Sequence, residues 1–231
     1  MPLKPFEKLP AQFQNEAVRK YYDILDKKRF SLMLKRISDI ILSLLMILLL
    51  ILPMAVISIL IKCTSKGPVV FRQERITRYG KTFRIMKFRT MRDHADKMGA
   101  LVTSRNDTRI TKVGGVLRRF RLDELPQVFH VLSGNMSFVG TRPEVKKYVD
   151  RYTPEMYATL LMPAGVTSLA SIKFKDENEL IGDVTDPEEV DRIYMETILP
   201  QKMEYNLEYI SRFGFRRDIS LMFSTVKHMI S

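Results

Sequence analysis

The run from Ile40 to Ile61 constrains this chain more than any other feature. It reads IILSLLMILLLILPMAVISILI, 22 residues without a charge and with Ser43 and Ser58 as the polar side chains. As a helix it would be about 33 Å long, enough to enter or cross the hydrocarbon of a bilayer. A buried helix of a soluble protein would keep a polar face, and this run has none. A secretory signal fits poorly, because the run is longer than a signal's apolar region and no small-x-small site follows it. The sequence therefore predicts a membrane segment.

Pro53 lies mid-run, where the missing N–H removes a helical hydrogen bond and kinks the axis. Residues 1–36 carry nine Lys/Arg against four Asp/Glu, and residues 62–231 carry 29 against 21. Positive flanks tend to stay cytoplasmic, and here both flanks are positive. The expectation is a re-entrant helix over residues 37–62 that bends at Pro53 and returns to the same leaflet. A Pro-kinked spanning helix is the alternative. A basic arm, 1–36, then precedes the helix, and a cytoplasmic domain, 63–231, follows it.

The net charge of +12 points to an anionic partner: nucleic acid, anionic lipid or a phosphorylated substrate. A single cysteine, Cys63, excludes an internal disulfide and a cysteine-rich zinc site. Three scattered histidines (His94, His130, His228) argue against a histidine metal centre.

In the arm, residues Ala11 to Phe30 read as an amphipathic helix with Phe13, Val18, Tyr21, Ile24 and Leu25 as its apolar residues. Its basic end, Lys27, Lys28 and Arg29 followed by Lys35 and Arg36, suits a headgroup surface. Packing on the soluble domain is the equal alternative. VVFRQERI and TFRIMKFRTM around TRYGK read as a β-hairpin. Its polar positions are mostly basic (Arg72, Arg75, Arg78, Lys81, Arg84, Lys87, Arg89, Arg92), which suggests a surface facing phosphate or membrane. Residues 93–110 read as a loop or short helix, and Gly114-Gly115 as preceding a helix VLRRFRL. Eight acids between Asp176 and Asp191 fit a solvated loop and a helix start at Asp186-Pro187 better than a second metal site. The C-terminal RFGFRRDISLMFSTVKHMIS reads as a basic amphipathic helix for the membrane surface.

The chemistry concentrates in RRFRLDELPQVFHVLSGNMSFVGTRPE, residues 118–144. Asp123 and Glu124 are adjacent, and Pro126 places a helix start near Asp123. Unpaired N–H groups there would keep Asp123 ionised and attract phosphate. Arg118, Arg119, Arg121 and Arg142 surround the pair, and a guanidinium can take two phosphate oxygens at once. Two acids with arginines suggest phosphoryl chemistry: one carboxylate attacks phosphorus, while the other holds Mg²⁺ or moves a proton. The same pair would also serve as an ordinary helix cap.

KFRTM (Lys87–Met91), LRRFRLDELPQ (Leu117–Gln127), VLSGNMSFVG (Val131–Gly140) and TRPE (Thr141–Glu144) resemble the bacterial sugar transferases, the monotopic polyprenyl-phosphate phosphoglycosyl transferases. The resemblance covers about residues 33–175, including the apolar segment and KGPVVFRQER after it. It implies transfer of a sugar 1-phosphate from a UDP-sugar to undecaprenyl (polyprenyl) phosphate with release of UMP. It implies Asp123 as the nucleophile that carries the phosphosugar and Glu124 as metal ligand or acid/base partner, with Mg²⁺ at Asp123 and Glu124. Arg118 and Arg142 would clamp phosphates, and Lys87 would assist beside them.

The implied setting is the cytoplasmic face of a bacterial membrane, at the start of capsule, exopolysaccharide or glycoconjugate assembly. The partners implied are lipid and the two substrates, without nucleic acid and with a homodimer left open. The implied fold is α+β: a small, mostly helical catalytic domain with a β-hairpin, on a Pro-kinked re-entrant helix with amphipathic interfacial helices. The chain departs from the family pattern at Leu52, His130, Thr141 and AGVTSLAS (Ala164–Ser171), and His130 and Cys63 read as structural or incidental. The competing reading is a basic membrane-anchored protein that binds anionic lipid or nucleic acid without catalysis. Acids inside the most arginine-rich segment, and basic runs without interleaved aromatics, argue against it.

Overall fold

The computed structural model describes residues 3–92, 108–174, 180–182, 184 and 186–230, with the side chains of 228–230 left aside. Residues 93–107, with His94, and the acids Asp176, Glu177, Glu179 and Asp183 lie outside the described residues, as does the His228 side chain.

Helix α1 (Glu16–Asp26) starts where the Asn15 side chain accepts the Val18 N–H at 3.0 Å. Val18, Tyr21, Tyr22 and Leu25 are buried in the main core together with Phe13. Tyr21 donates its hydroxyl to Glu155 Oε1 at 2.8 Å. The arm therefore packs on the soluble domain, the second of its two expected placements, because its apolar stripe is already covered by protein.

Helix α2 (Arg29–Thr64) runs for 36 residues with Pro53 inside it, about 54 Å at the helical rise. It is long and apolar enough to cross a membrane, and only 17% of its most apolar window is buried. Its first part buries Leu32, Lys35, Asp39 and Ser43, and its last part buries Met54, Ile57 and Ile61. Leu44, Leu45, Leu48, Leu49, Ile51 and Leu52 between them are exposed.

Strands β1 (Val70–Ile76) and β2 (Thr82–Phe88) form the expected hairpin, paired from Val70↔Phe88 to Ile76↔Thr82. Its turn holds Tyr79 and Gly80 at positive φ, 60° and 75°. Helix α3 (Lys112–Arg119) includes Gly114 and Gly115, which the sequence had placed ahead of it. A Cβ on Gly114 would lie 1.9 Å from the Thr90 carbonyl oxygen, so glycine is what lets the helix touch this strand end.

A 3₁₀ turn (Leu122–Gln127) leads into α4 (Val128–Ser133), close to the helix start expected at Asp123. Strand β3 (Met136–Val139), α5 (Lys146–Val149) and β4 (Ala164–Thr167) follow, and β3 and β4 pair in parallel. A Cβ on Gly165 would meet the Gly140 nitrogen at 2.2 Å, which fixes how closely these segments approach. Helix α6 (Leu169–Lys173) comes next, then α7 (Pro187–Ile193), capped by Asp186 with Pro187 first as the acidic segment suggested. A π-helical turn (Tyr194–Ile198) joins α7 to α8 (Leu199–Ser211), and α9 (Phe215–Ile230) closes the chain. The class is α+β, mostly helical with two small sheets.

A buried polar cluster ties α2 to the domain. Lys35 Nζ bonds Asp218 Oδ2 at 2.6 Å and the Val139 carbonyl at 2.7 Å, and Tyr209 donates to Asp218 Oδ1 at 3.0 Å. Asp39 Oδ1 accepts from Ser137 Oγ and from the Phe138 N–H. Arg36 donates to the Val131 and Leu132 carbonyls at 2.7 and 2.8 Å, near the negative end of α4. The far part of α2 meets the same domain: Met54, Ile57 and Ile61 pack with Phe88 and Leu117, and Leu122 and Leu125 border that cluster. On α9, Asp218 and Leu221 face inward while Ile219, Phe223 and Val226 are exposed.

Candidate active site

Three elements meet at the Asp-Glu pair. The chain leaves α3 through Arg121 at φ 52°, a left-handed conformation that costs on the order of 1 kcal/mol or more in a residue with a Cβ. That reversal presents Asp123 and Glu124 on the 3₁₀ turn against β2. Lys87 on β2 bonds Glu124 Oε1 at 2.7 Å, and Arg142, after β3, approaches the same oxygen at 3.4 Å. Arg118, at the end of α3, donates from Nε to Thr90 Oγ1 at 3.0 Å.

A cleft of about 280 Å³, open to solvent, has Arg75, Ile85, Lys87, Glu124, Gln127, Arg142, Pro143 and Gly165 as its walls. The structure thus brings Lys87, Glu124 and Arg142 together in one cavity. Asp123 is buried at its margin, adjacent to Glu124 in the chain, and Arg118 is near enough for its charge to act on Asp123. Arg75 was read in the sequence only as one base among the hairpin's eight. The signal that identifies it is strand pairing, which sets Arg75 on the face that carries Lys87.

The two carboxylates feel opposite net effects. For Glu124, burial opposes the charge, but Arg142 and Lys87 outweigh it and hold the carboxyl at about 2. For Asp123, burial dominates and raises its proton affinity, opposed by Lys87 and Arg118 and assisted by the neighbouring Glu124 charge. The helix start expected to favour an ionised Asp123 is opposed here by desolvation. Burial also lowers the proton affinity of Lys87, partly countered by Glu124.

Asp123 makes no ion pair within 4 Å among the described residues, whereas Glu124 is held by two cations. His130 is buried, accepts the Met86 N–H at Nε2 at 3.1 Å and meets the Phe83 ring edge-on. Burial lowers its proton affinity. Cys63 is exposed, away from these contacts.

A geometry that sets one carboxylate in ion pairs and a second, among the described residues, without one beside cations suits transfer of a phosphoryl group. The profile of the bacterial sugar transferases matches residues 30–231. The chain belongs to the bacterial sugar transferase family. The resemblance carried by KFRTM, LDELPQ and NMSFVG is thereby borne out.

Among its relatives is the UDP-glucose:undecaprenyl-phosphate glucose-1-phosphate transferase of Klebsiella pneumoniae, 36% identical over 199 residues, 85% of this chain and 40% of that one. The UDP-N-acetylgalactosamine-undecaprenyl-phosphate N-acetylgalactosaminephosphotransferase of Aeromonas hydrophila is 35% identical over 178 residues, 75% of this chain and 38% of that one. The exopolysaccharide production protein PSS of Rhizobium leguminosarum bv. phaseoli is 34% identical over 202 residues, covering 84% of this chain and 94% of its own. The chain thus spans about two fifths of the length of the first two.

Proposed function

We propose that this protein transfers a sugar 1-phosphate from a UDP-sugar to undecaprenyl phosphate and releases UMP, at the start of a surface glycan. The observation that carries the reading is the contrast between Asp123 and Glu124. Glu124 is fixed as an anion by Lys87 and Arg142, while Asp123 is desolvated and makes no ion pair among the described residues. Stripping water from a carboxylate makes its lone pair easier to deliver, and cations around it stabilise charge that moves onto phosphate oxygens.

An Asp123 oxygen attacks the phosphorus that bears the sugar, and the bond from that phosphorus to the bridging oxygen of UMP breaks. The product is an acyl phosphate on Asp123. An oxygen of the lipid phosphate then attacks the same phosphorus, displaces the carboxylate and yields the sugar diphospholipid. Two separate steps spare the site from holding two polyanions at once. Lys87 and Arg142 orient the phosphates through the Glu124 anchor, and Arg118 offsets charge beside Asp123.

Mg²⁺ fits the donor set in one way. No group of three or more His, Cys, Asp or Glu side chains converges among the described residues. Asp123 and Glu124 would hold the ion with substrate oxygens completing its shell, as is usual for Mg²⁺ at phosphates. Bound there, the ion supplies neutralisation of pyrophosphate charge.

The reading extends to the membrane. Both parts of α2 rest on one domain, Lys35 and Asp39 on β3 and α9, and Met54, Ile57 and Ile61 on the cluster of Phe88 and Leu117. A helix whose two ends return to the same body supports a re-entrant rather than a spanning path. The exposed Leu44–Leu52 stretch enters one leaflet, and Ile219, Phe223 and Val226 of α9 lie along the cytoplasmic interface.

The experiment is UMP release from a panel of UDP-sugars with undecaprenyl phosphate and Mg²⁺, with mass spectrometry of protein quenched with donor and no acceptor. One donor should release UMP and leave a phosphosugar on Asp123. No UMP from any donor overturns the reading in favour of a binding protein; UMP without the adduct overturns the covalent route.

A further inference from the structure

We propose that Arg75 is a further donor-binding residue, holding a phosphate on the nucleotide side of the UDP-sugar at the end of the cleft away from the membrane. This rests on the reading of the cleft as the donor site. Hairpin partners carry numbers of the same parity, so Arg75, Ile85 and Lys87 project from one face, and all three line the cleft. Its walls carry three cations, Arg75, Lys87 and Arg142, against one carboxylate, Glu124. Lys87 and Arg142 both lean on that carboxylate.

Arg75 is held differently. Its Nε and Nη2 donate to Gln73 Oε1 at 3.1 and 2.7 Å, and its Nη1 to the Pro143 carbonyl at 3.2 Å. These acceptors are neutral, so they aim the guanidinium without cancelling its charge. The nearest carboxylate, Glu144, stands 4.0 Å from Nη1 and also takes the Tyr194 hydroxyl at 2.9 Å and Lys202 at 3.8 Å. An aimed, under-neutralised guanidinium on the wall of a cavity is what a phosphate needs.

Position along the hairpin selects which phosphate. Lys87 stands opposite Phe71, and the neighbouring Phe88 and Val69 belong to or border the cluster that holds Met54, Ile57 and Ile61 of α2, so the Lys87 level is the one near the bilayer. Arg75 lies four residues further along β1, about 13 Å at 3.3 Å per residue. A phosphate tethered to lipid works at the Lys87 end; a soluble dinucleotide-like donor reaches the other. Arg75 therefore serves the donor and leaves the acceptor alone.

The test is steady-state kinetics of Arg75→Gln and Arg75→Lys with a donor that the wild type uses, alongside equilibrium binding of UMP. Loss of a charged hydrogen bond should raise donor KM and weaken UMP binding about 10- to 100-fold in Arg75→Gln. Arg75→Lys should fall between, and acceptor KM should stay within about twofold. Because Arg75 is half-buried and bonded into the hairpin, Gln73→Met gives a second arm that keeps the cation and removes its support, with a several-fold rise in donor KM expected. Unchanged donor KM and UMP binding in a folded Arg75→Gln, a matching rise in acceptor KM, or no change in Gln73→Met if Arg75→Gln does not fold, each overturns the assignment. Failure of wild type to release UMP from any donor instead removes the reading on which it rests.

Discussion

Glu124 is bonded by Lys87 at 2.7 Å, while its neighbour Asp123, one residue earlier, makes no ion pair among the described residues. Adjacent acids thus occupy opposite electrostatic situations, a pattern that separates roles in sites built from two carboxylates. Asp123→Asn should lower UMP release by at least about 10³-fold and abolish the adduct, as loss of a nucleophile does. Glu124→Gln should lose about 10²- to 10³-fold through the freed cations while still forming some adduct. Intact-mass spectrometry after a donor-only quench distinguishes the two; adduct on the Asp123→Asn protein would refute the assignment.

Stability should depend on acid through Glu124. Its folded value, about 2, lies below its ordinary value of 4.5, so its contribution is complete above about pH 4.5 and is lost as pH falls towards 2. The contribution is on the order of 3 kcal/mol. Urea unfolding between pH 3 and 6 should show stability rising with pH, and Glu124→Gln should flatten part of that slope. An identical slope in the variant contradicts the pairing with Lys87 and Arg142.

Asp123 should set the acid limb of the chemical step. Burial raises its proton affinity, so single-turnover adduct formation should fall on acidification through a point above the ordinary aspartate range. Lys87 works in the opposite direction, favouring the charged form. Lys87→Gln should therefore move the limb to higher pH besides slowing the reaction. A shift to lower pH would show that Lys87 does not act on Asp123.

The pair Lys35–Asp218 is nearly sealed, with side chains 3% and 5% exposed. Removing one partner strands the other charge, so Asp218→Ala should destabilise by about 3–5 kcal/mol. Lys35→Met combined with Asp218→Leu should recover much of that loss. Thermal melts in detergent read this directly, and a mild effect of Asp218→Ala would mean the ion pair is dispensable.

Topology has its own readout. With Cys63→Ser as background, Lys4→Cys and Lys227→Cys should both be protected from an impermeant maleimide in intact cells and both react after lysis. Labelling of one in intact cells would indicate a spanning helix.

What the sequence makes legible is local. The apolar run, the hairpin around TRYGK, the Asp186-Pro187 cap and the meeting of Lys87, Glu124 and Arg142 all follow from patterns within a few residues or from motif likeness. What escaped depends on pairing or distance. Arg75 joins Lys87 because the five residues between the strands give same-parity partners; one more residue would turn Arg75 to the opposite face. Lys35 and Asp218 meet across 183 residues, a closeness no window of sequence contains. Gly114 and Gly115 read as preceding the helix, yet both lie within α3, where the Thr90 backbone makes glycine at 114 the requirement of close packing. The desolvation of Asp123 escaped for a related reason, since burial is a property of the assembled domain.

Arg36 grips the last carbonyls of α4 while Met54, Ile57 and Ile61 of the same helix rest on Phe88 and Leu117. On the proposed reading, the membrane helix is thus riveted at two points to the body that carries Asp123 and Glu124. Such bracing would set the altitude of the two carboxylates over the headgroups, so that a membrane-tethered acceptor would meet Asp123 at one level.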